Sequence, residues 1–261
     1  MLILLPPSEG KAASGKGRPV DPAALSLPPL HPARTAALRA LTTLCRGDLD
    51  TAAHTLGLTP GLHPEIARNA ALDTAAAMPA AALYTGVLYD ALDLAGLPTT
   101  ARRRATRAIL IFSGLWGAVR LDDRIPPYRC AMGVKLPGIG PLAAHWKAPM
   151  AHAMTDTAAT GLILDLRSSA YSPAWTPRGE TADRTATVRV LHQRPDGKRM
   201  VVSHFNKATK GRLVRDLLLD AAAPRTPAQL AEALRDLKYT VEQQPTAAGK
   251  PRQLDVIVNE L

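Results

Sequence analysis

The chain opens Met1-Leu2-Ile3-Leu4-Leu5-Pro6-Pro7-Ser8-Glu9-Gly10-Lys11. Leu2 to Leu5 is an unbroken apolar run, which reads as a short strand buried on both faces in a sheet covered by helices. Pro6 and Pro7 stop it, because proline cannot donate to a ladder. A hydroxyl, a carboxylate, a glycine and an ammonium follow within four residues. In α/β sheets, ligands gather outside the carboxyl ends of strands, and loops there offer N–H groups, hydroxyls and lysines to anionic oxygens.

Three further segments repeat this arrangement. Ala108 to Phe112 is an apolar strand ended sharply by Ser113-Gly114, with Leu115-Trp116-Gly117 behind it. Leu162-Ile163-Leu164-Asp165-Leu166 is a buried strand that runs into Arg167-Ser168-Ser169-Ala170-Tyr171-Ser172. Thr187 to His192 and Arg199 to His204 read as a hairpin turning at Pro195-Asp196-Gly197, and its second strand delivers His204-Phe205-Asn206-Lys207. Helical spacing of apolar residues covers about 32–58, 63–78, 79–95, 143–157, 207–222 and 227–236. Another helix, capped at Thr99-Thr100, carries Arg102, Arg103, Arg104 and Arg107. Residues 6–32 and 120–142 are irregular, and the tail at 238–258 holds one or two strands around a loop at Pro245 to Pro251. With no repeat and no linker, the expected fold is α+β (mixed α/β): one domain over residues 1–261, a central mixed sheet flanked by helices, and a helical insert at about 32–107.

Composition sets the limits. Apolar residues form 46% of the 261-residue chain, so it is globular, and aromatics form only 4%, so the core is built from Leu, Ile, Val and Ala. No apolar run reaches the roughly 20 residues that span a bilayer. The apolar start lacks a basic flank and is cut short by Pro6-Pro7, so a cytoplasmic location is expected, with no membrane partner. Cys45 and Cys130 are too few for a disulfide framework, and the scattered histidines have no metal-binding spacing, so neither a metal nor a cofactor is expected.

The formal net charge is +10. Residues 178–215 hold ten basic side chains against three acidic ones, a local excess of +7. Such a field attracts nucleic acid or phosphorylated small molecules. Within the strand-end segments, Glu9 beside Lys11 suits proton exchange next to a cation, with Ser113 as a third catalytic candidate. Ser8, Ser168, Ser169, Tyr171 and Asn206 supply polar contacts to a ligand. Lys207, Lys210 and Arg212 present cations near a helix start. Pro126-Pro127-Tyr128-Arg129 is a rigid turn aiming a ring for stacking and a guanidinium that can fork onto phosphate. In His145-Trp146-Lys147, Trp146 reads as core and Lys147 as a phosphate contact. Leu136-Pro137-Gly138-Ile139-Gly140-Pro141 matches the hairpin of the helix-hairpin-helix module, although the residues before it read as a strand.

Taken in order, several blocks resemble the YaaA-like peroxide-stress proteins: Met1-Leu2-Ile3-Leu4 followed by Pro-Ser, Leu83-Tyr84-Thr85-Gly86, Ser113-Gly114-Leu115-Trp116-Gly117-Ala118-Val119-Arg120, Ile125-Pro126-Pro127-Tyr128-Arg129-Cys130-Ala131-Met132-Gly133, Arg167-Ser168-Ser169-Ala170-Tyr171 and Lys207-Ala208-Thr209-Lys210-Gly211-Arg212. The resemblance implies a bacterial cytoplasmic protein with an unusual mixed α and β fold. It also implies a role in limiting peroxide damage by lowering free iron, and a positively charged DNA-binding cleft with a helix-hairpin-helix-like element. The sequence departs from the family at its opening, where Pro-Pro-Ser-Glu-Gly-Lys replaces a Ser-Pro-Ala-Lys-Thr type of start, at residues 21–80, and at Leu136 to Gly140.

Two functions follow. As a stress protein with a basic cleft, the chain would bind double-stranded DNA or another phosphate-bearing ligand. As an enzyme, it would act on a nucleotide, nucleobase or other phosphorylated small molecule, with Glu9 as acid or base and lysines and arginines holding phosphate. Direct iron binding is disfavoured, because no carboxylate or histidine cluster is available.

Overall fold

A computed structural model describes residues 1–221 and 223–259, apart from the side chains of residues 203–205. Eight strands form one mixed sheet: β1 (Leu2–Leu5), β2 (Ile109–Ser113), β3 (Gly117–Arg120), β4 (Ile163–Asp165), β5 (Thr185–Gln193), β6 (Arg199–Met200), β7 (Thr240–Gln243) and β8 (Arg252–Val258). Their order is β7-β8-β5-β4-β1-β2-β3, with β6 paired to β5. The four residues of β1 are all buried, as their uniform apolarity requires of a central strand. On one side β1 runs parallel to β2, with Ile3 opposite Ile109; on the other it runs parallel to β4, with Leu2 opposite Ile163. β5 continues parallel to β4, and β8 parallel to β5.

The chain leaves β1 to build β2 on one flank and returns to build β4 on the other. This reversal beside β1 is a topological switch point, where a crevice opens at the carboxyl ends of the strands. The excursion from β1 to β2 contains α1 (His31–Arg46), α2 (Leu49–Leu56), α3 (Pro64–Ala70), α4 (Ala80–Leu83), α5 (Val87–Leu92) and α6 (Thr99–Ala108). Further along come α7 (Leu142–Thr157), α8 (Glu180–Asp183), α9 (Ser203–Asp220) and α10 (Pro227–Asp236). The apolar faces of helices and sheet join in one contiguous core, in which Trp146 is fully buried as expected.

Several elements differ from the sequence reading. The helix expected over 32–58 is two, broken at Gly47, and Asp48 caps the second by accepting the Thr51 N–H at 2.8 Å. Ser113-Gly114 turns the strand instead of ending it, so β3 pairs back onto β2 with Ser113 opposite Gly117. Gly117 has φ +73° and lies against Trp146, where a side chain would collide with the indole. The strand expected at Arg199 to His204 is two residues long, because α9 begins at Ser203. Leu213, Val214, Leu217 and Leu218 bury the helix, and an edge strand of Arg199 and Met200 has no comparable anchor. Leu136 and Gly140 form a hairpin that leads into α7, but residues 126–134 contain no helix, so the preceding half of a helix-hairpin-helix module is missing.

Candidate functional site

The parallel arrangement carries the segments after β1, β2 and β4, and the start of α9 beyond β5, to one edge of the sheet. There a cavity of about 380 Å³ is lined by Ser8, Glu9, Tyr89, Ser168, Tyr171 and Lys207, with Pro6, Pro7 and residues 86–88 completing its wall. Its size is that of a small-molecule site. Glu9 reaches Arg129, whose Nε lies 3.0 Å from a carboxylate oxygen. Arg129 is fixed through its backbone: Asn69 donates to its carbonyl at 2.7 Å and accepts its N–H at 2.9 Å. Asn69 is fully buried, so this clamp is shielded from water.

Lys11 lies near enough to this pair for both charges to act on it. Its Nζ donates to the Ser8 carbonyl at 2.8 Å and sits 4.5 Å from the centre of the Tyr128 ring and 5.7 Å from that of Tyr84. Burial lowers its pKa to about 8; Glu9 opposes the shift and Arg129 adds to it. Tyr128 hydroxyl lies 2.6 Å from Ser113 Oγ and 2.9 Å from the Tyr84 hydroxyl, and Ser113 Oγ accepts the Trp116 N–H at 3.0 Å. Burial raises the pKa of Tyr84, Tyr128 and Tyr171, so these phenols stay neutral and serve as donors and acceptors. The combination can hold an anion, exclude water on one side and exchange protons at Glu9 and Lys11.

The structure therefore places Ser8, Glu9, Ser168, Tyr171 and Lys207 on the wall of one cavity, with Arg129 joined to it through Glu9, Lys11 through the Ser8 carbonyl, and Tyr128 against Lys11. Ser113 stands in the same network but is completely buried, so its hydroxyl braces Tyr128 and does not face solvent. Asn206 and Lys207 lie within the first two turns of α9 and not at a strand end. Among the described residues, Asn206 Oδ1 is buried without a partner. Lys210 is half-buried: burial lowers its pKa, and Asp165 at the end of β4 opposes that shift. Arg212 is exposed, donates to Thr209 at 3.3 Å and acts on Tyr239, away from the crevice. Ser169 is exposed and Lys147 is exposed on α7; neither lines the cavity.

The basic excess of residues 178–215 is spread out by the fold. Arg184 donates to the Ala158 carbonyl at 3.0 Å, Arg189 to Asp255 at 2.9 Å, Arg199 to Glu242 at 2.7 Å and Arg215 to the Asp93 carbonyl at 2.7 Å. Two of these guanidiniums pair with carboxylates and two with backbone carbonyls, so all four tie elements of the fold together.

A family model described as peroxide stress protein YaaA matches residues 1–245. The chain belongs to the YaaA peroxide stress protein family. It is 61% identical over 262 residues to a UPF0246 protein of Streptomyces coelicolor, covering 100% of both chains. It is also 40% identical over 249 residues to a UPF0246 protein of Corynebacterium glutamicum, covering 94% of this chain and 96% of that one. A Campylobacter jejuni relative shares 28% identity over 215 residues, 82% of this chain and 83% of its own. The blocks by which the sequence resembles the family meet in space: Ser113 of one touches Tyr128 of the next, and Tyr128 touches Tyr84 of a third.

Asn69, Asp165 and the guanidinium of Arg167 belong to the surroundings of the crevice, although none of them is among the candidates read from the sequence. Arg167 forms a buried two-pronged pair with Asp165 (2.9 and 2.6 Å) and stacks 4.3 Å from the Phe112 ring. That pair fixes the start of the segment bearing Ser168 and Tyr171. Opposite charges two residues apart at the end of an apolar strand are a usable signal for it; an isolated asparagine in a helical stretch is not. Among the described residues, no three His, Cys, Asp or Glu side chains come together as a metal-holding group, and no helix is long and apolar enough to cross a membrane.

Proposed function

We propose that the crevice beside β1 binds a phosphate-bearing small molecule of nucleotide size. Lys207, Arg129 and Ser168 hold the phosphate, and Glu9 and Lys11 exchange protons with the bound molecule, as an enzymatic contribution to the peroxide response named for this family. The observation that carries this reading is the convergence of Glu9, Ser168, Tyr171 and Lys207 on one cavity of about 380 Å³, with Arg129 paired to Glu9 and Lys11 bonded to the Ser8 carbonyl. Surface cations alone would serve a binder of the DNA backbone; a carboxylate, a partly deprotonated lysine and buried phenols are chemistry for a reacting group.

The dimensions favour a mononucleotide over a duplex, since a double helix is wider than such a cavity. The engagement of four arginines of 178–215 in contacts within the fold points the same way. A displacement assay with a fluorescent nucleotide separates the readings. Unlabelled mononucleotide competes and duplex DNA does not, and Glu9→Gln retains affinity while losing turnover. Duplex DNA displacing the probe with a steep salt dependence would instead support the nucleic-acid reading.

A further inference from the structure

We propose that Lys11 is a nucleophile that condenses with the carbonyl group of a phosphorylated aldehyde or ketone, holding it as an imine; this rests on reading the crevice as a site for phosphate-bearing small molecules. Of the buried and half-buried candidates Ser113, Cys130 and Lys11, the structure eliminates the first two as nucleophiles. Ser113 is fully buried, with its oxygen committed to Tyr128 and to the Trp116 N–H. Cys130 is buried, and burial pushes its thiol up to about 12, so no thiolate forms near neutral pH. Lys11 remains, half-buried and not sealed.

The surroundings of Nζ suit that role. Among the described residues it makes no ion pair with a carboxylate, and its hydrogen bond goes to the carbonyl of Ser8, a lining residue of the cavity. Two tyrosine rings shield it from water. Desolvation next to another cation is the usual way a lysine is made nucleophilic, and Arg129 is that cation here. Glu9 is close enough to oppose the shift at Lys11, half-exposed at 53%, and able to carry a proton. Lys207 and Ser168 bound the other part of the cavity, where a phosphate would lie.

The step balances without an oxidant or reductant. The neutral Nζ adds to the carbonyl carbon, forming a C–N bond, and one of its two protons moves to the former carbonyl oxygen to give a carbinolamine. The remaining N–H proton passes to the Glu9 carboxylate, and the protonated carboxyl returns it to the hydroxyl as the C–O bond breaks. Amine and carbonyl have become imine and water, and Glu9 is regenerated.

Reductive trapping tests this. The full chain is incubated at pH 8 with glyceraldehyde 3-phosphate and sodium cyanoborohydride, and adducts are located by peptide mass mapping. At that pH a lysine titrating near 8 is about half neutral, against well under one per cent for an exposed one. Lys11 should therefore be labelled at least tenfold faster than any of the other eight lysines. Unphosphorylated glyceraldehyde should label it at least tenfold more slowly, and Lys207→Ala should abolish that preference. Lys11→Arg, with Lys11→Met as a second variant should the first not fold, should lose the fast adduct and keep the wild-type circular dichroism. Labelling spread evenly over the lysines, or a fast adduct that persists in Lys11→Met, would overturn the proposal. If calorimetry shows glyceraldehyde 3-phosphate bound but Lys11 unlabelled, the imine is wrong and the crevice reading stands. If the compound neither binds nor labels, both fail.

Discussion

Asn69 holds Arg129 by both backbone polar groups, donating to its carbonyl at 2.7 Å and accepting its N–H at 2.9 Å across 60 residues of sequence. This contact anchors the backbone of the residue whose guanidinium pairs with Glu9 of the cavity wall. Asn69→Ala leaves a buried donor and a buried acceptor unsatisfied, at about 1–3 kcal/mol each. Denaturant unfolding should show a loss of at least 2 kcal/mol, whereas Arg129→Ala, which removes a partly exposed side chain, should lose under about 1 kcal/mol.

Lys11 gives stability a pH dependence of a definite sign. Unfolded, it titrates near 10.4; folded, at about 8. Below about 8 both states carry the proton, and the folded state bears a buried ammonium. Between about 8 and 10.4 the unfolded state binds more protons, so this group makes stability rise with pH. Lys11→Met should be more stable than wild type at pH 7, by on the order of 2 kcal/mol after loss of the bond to Ser8 is counted. The gap should close by about pH 10.5. Unfolding free energies of both proteins across this range check it; a gap independent of pH would refute it.

Gly211 lets α9 press against α5. A Cβ there would lie 2.2 Å from the Leu88 carbonyl oxygen, a backbone atom that cannot swing away. Gly211→Ala should therefore destabilise by about 1–3 kcal/mol, despite alanine's better helix propensity. Because Lys207 sits one turn earlier on α9, ligand affinity should fall with it. A thermal melt at or above the wild-type temperature would contradict this placement of the helices.

The sequence makes the frame legible where one residue type is decisive. Leu2 to Leu5 must be a central strand because no position tolerates water, and the prolines after it must release the chain. Polar segments at four apolar elements point to one edge of a sheet, and Glu9, Ser168, Tyr171 and Lys207 do line one cavity. What stays hidden depends on tertiary partners. Tyr84 and Tyr128 flank Lys11 from distant loops, and nothing local announces them as its walls. Arg34 is fully buried and donates to the Trp116 and Ala118 carbonyls at 3.0 and 2.6 Å, yet in sequence it resembles any surface arginine of an amphipathic helix. Likewise, Arg199 to His204 carries a short apolar, β-branched run as a strand does, and only the buried leucines of α9 shorten it to two residues. The charge of 178–215 reads as a local excess of +7 because a count over that segment cannot see Asp255 and Glu242, which pair with two of its arginines.

The central claim is that the crevice is a phosphate site with Lys207 in it, and calorimetric titration of AMP into wild type and Lys207→Ala at low salt tests it most directly. A charge-assisted contact is worth about 1.5–3 kcal/mol and tenfold corresponds to about 1.4 kcal/mol. Wild type should bind, and Lys207→Ala should bind at least tenfold more weakly at an unchanged melting temperature. Equal affinities, or no heat with wild type, would contradict the account.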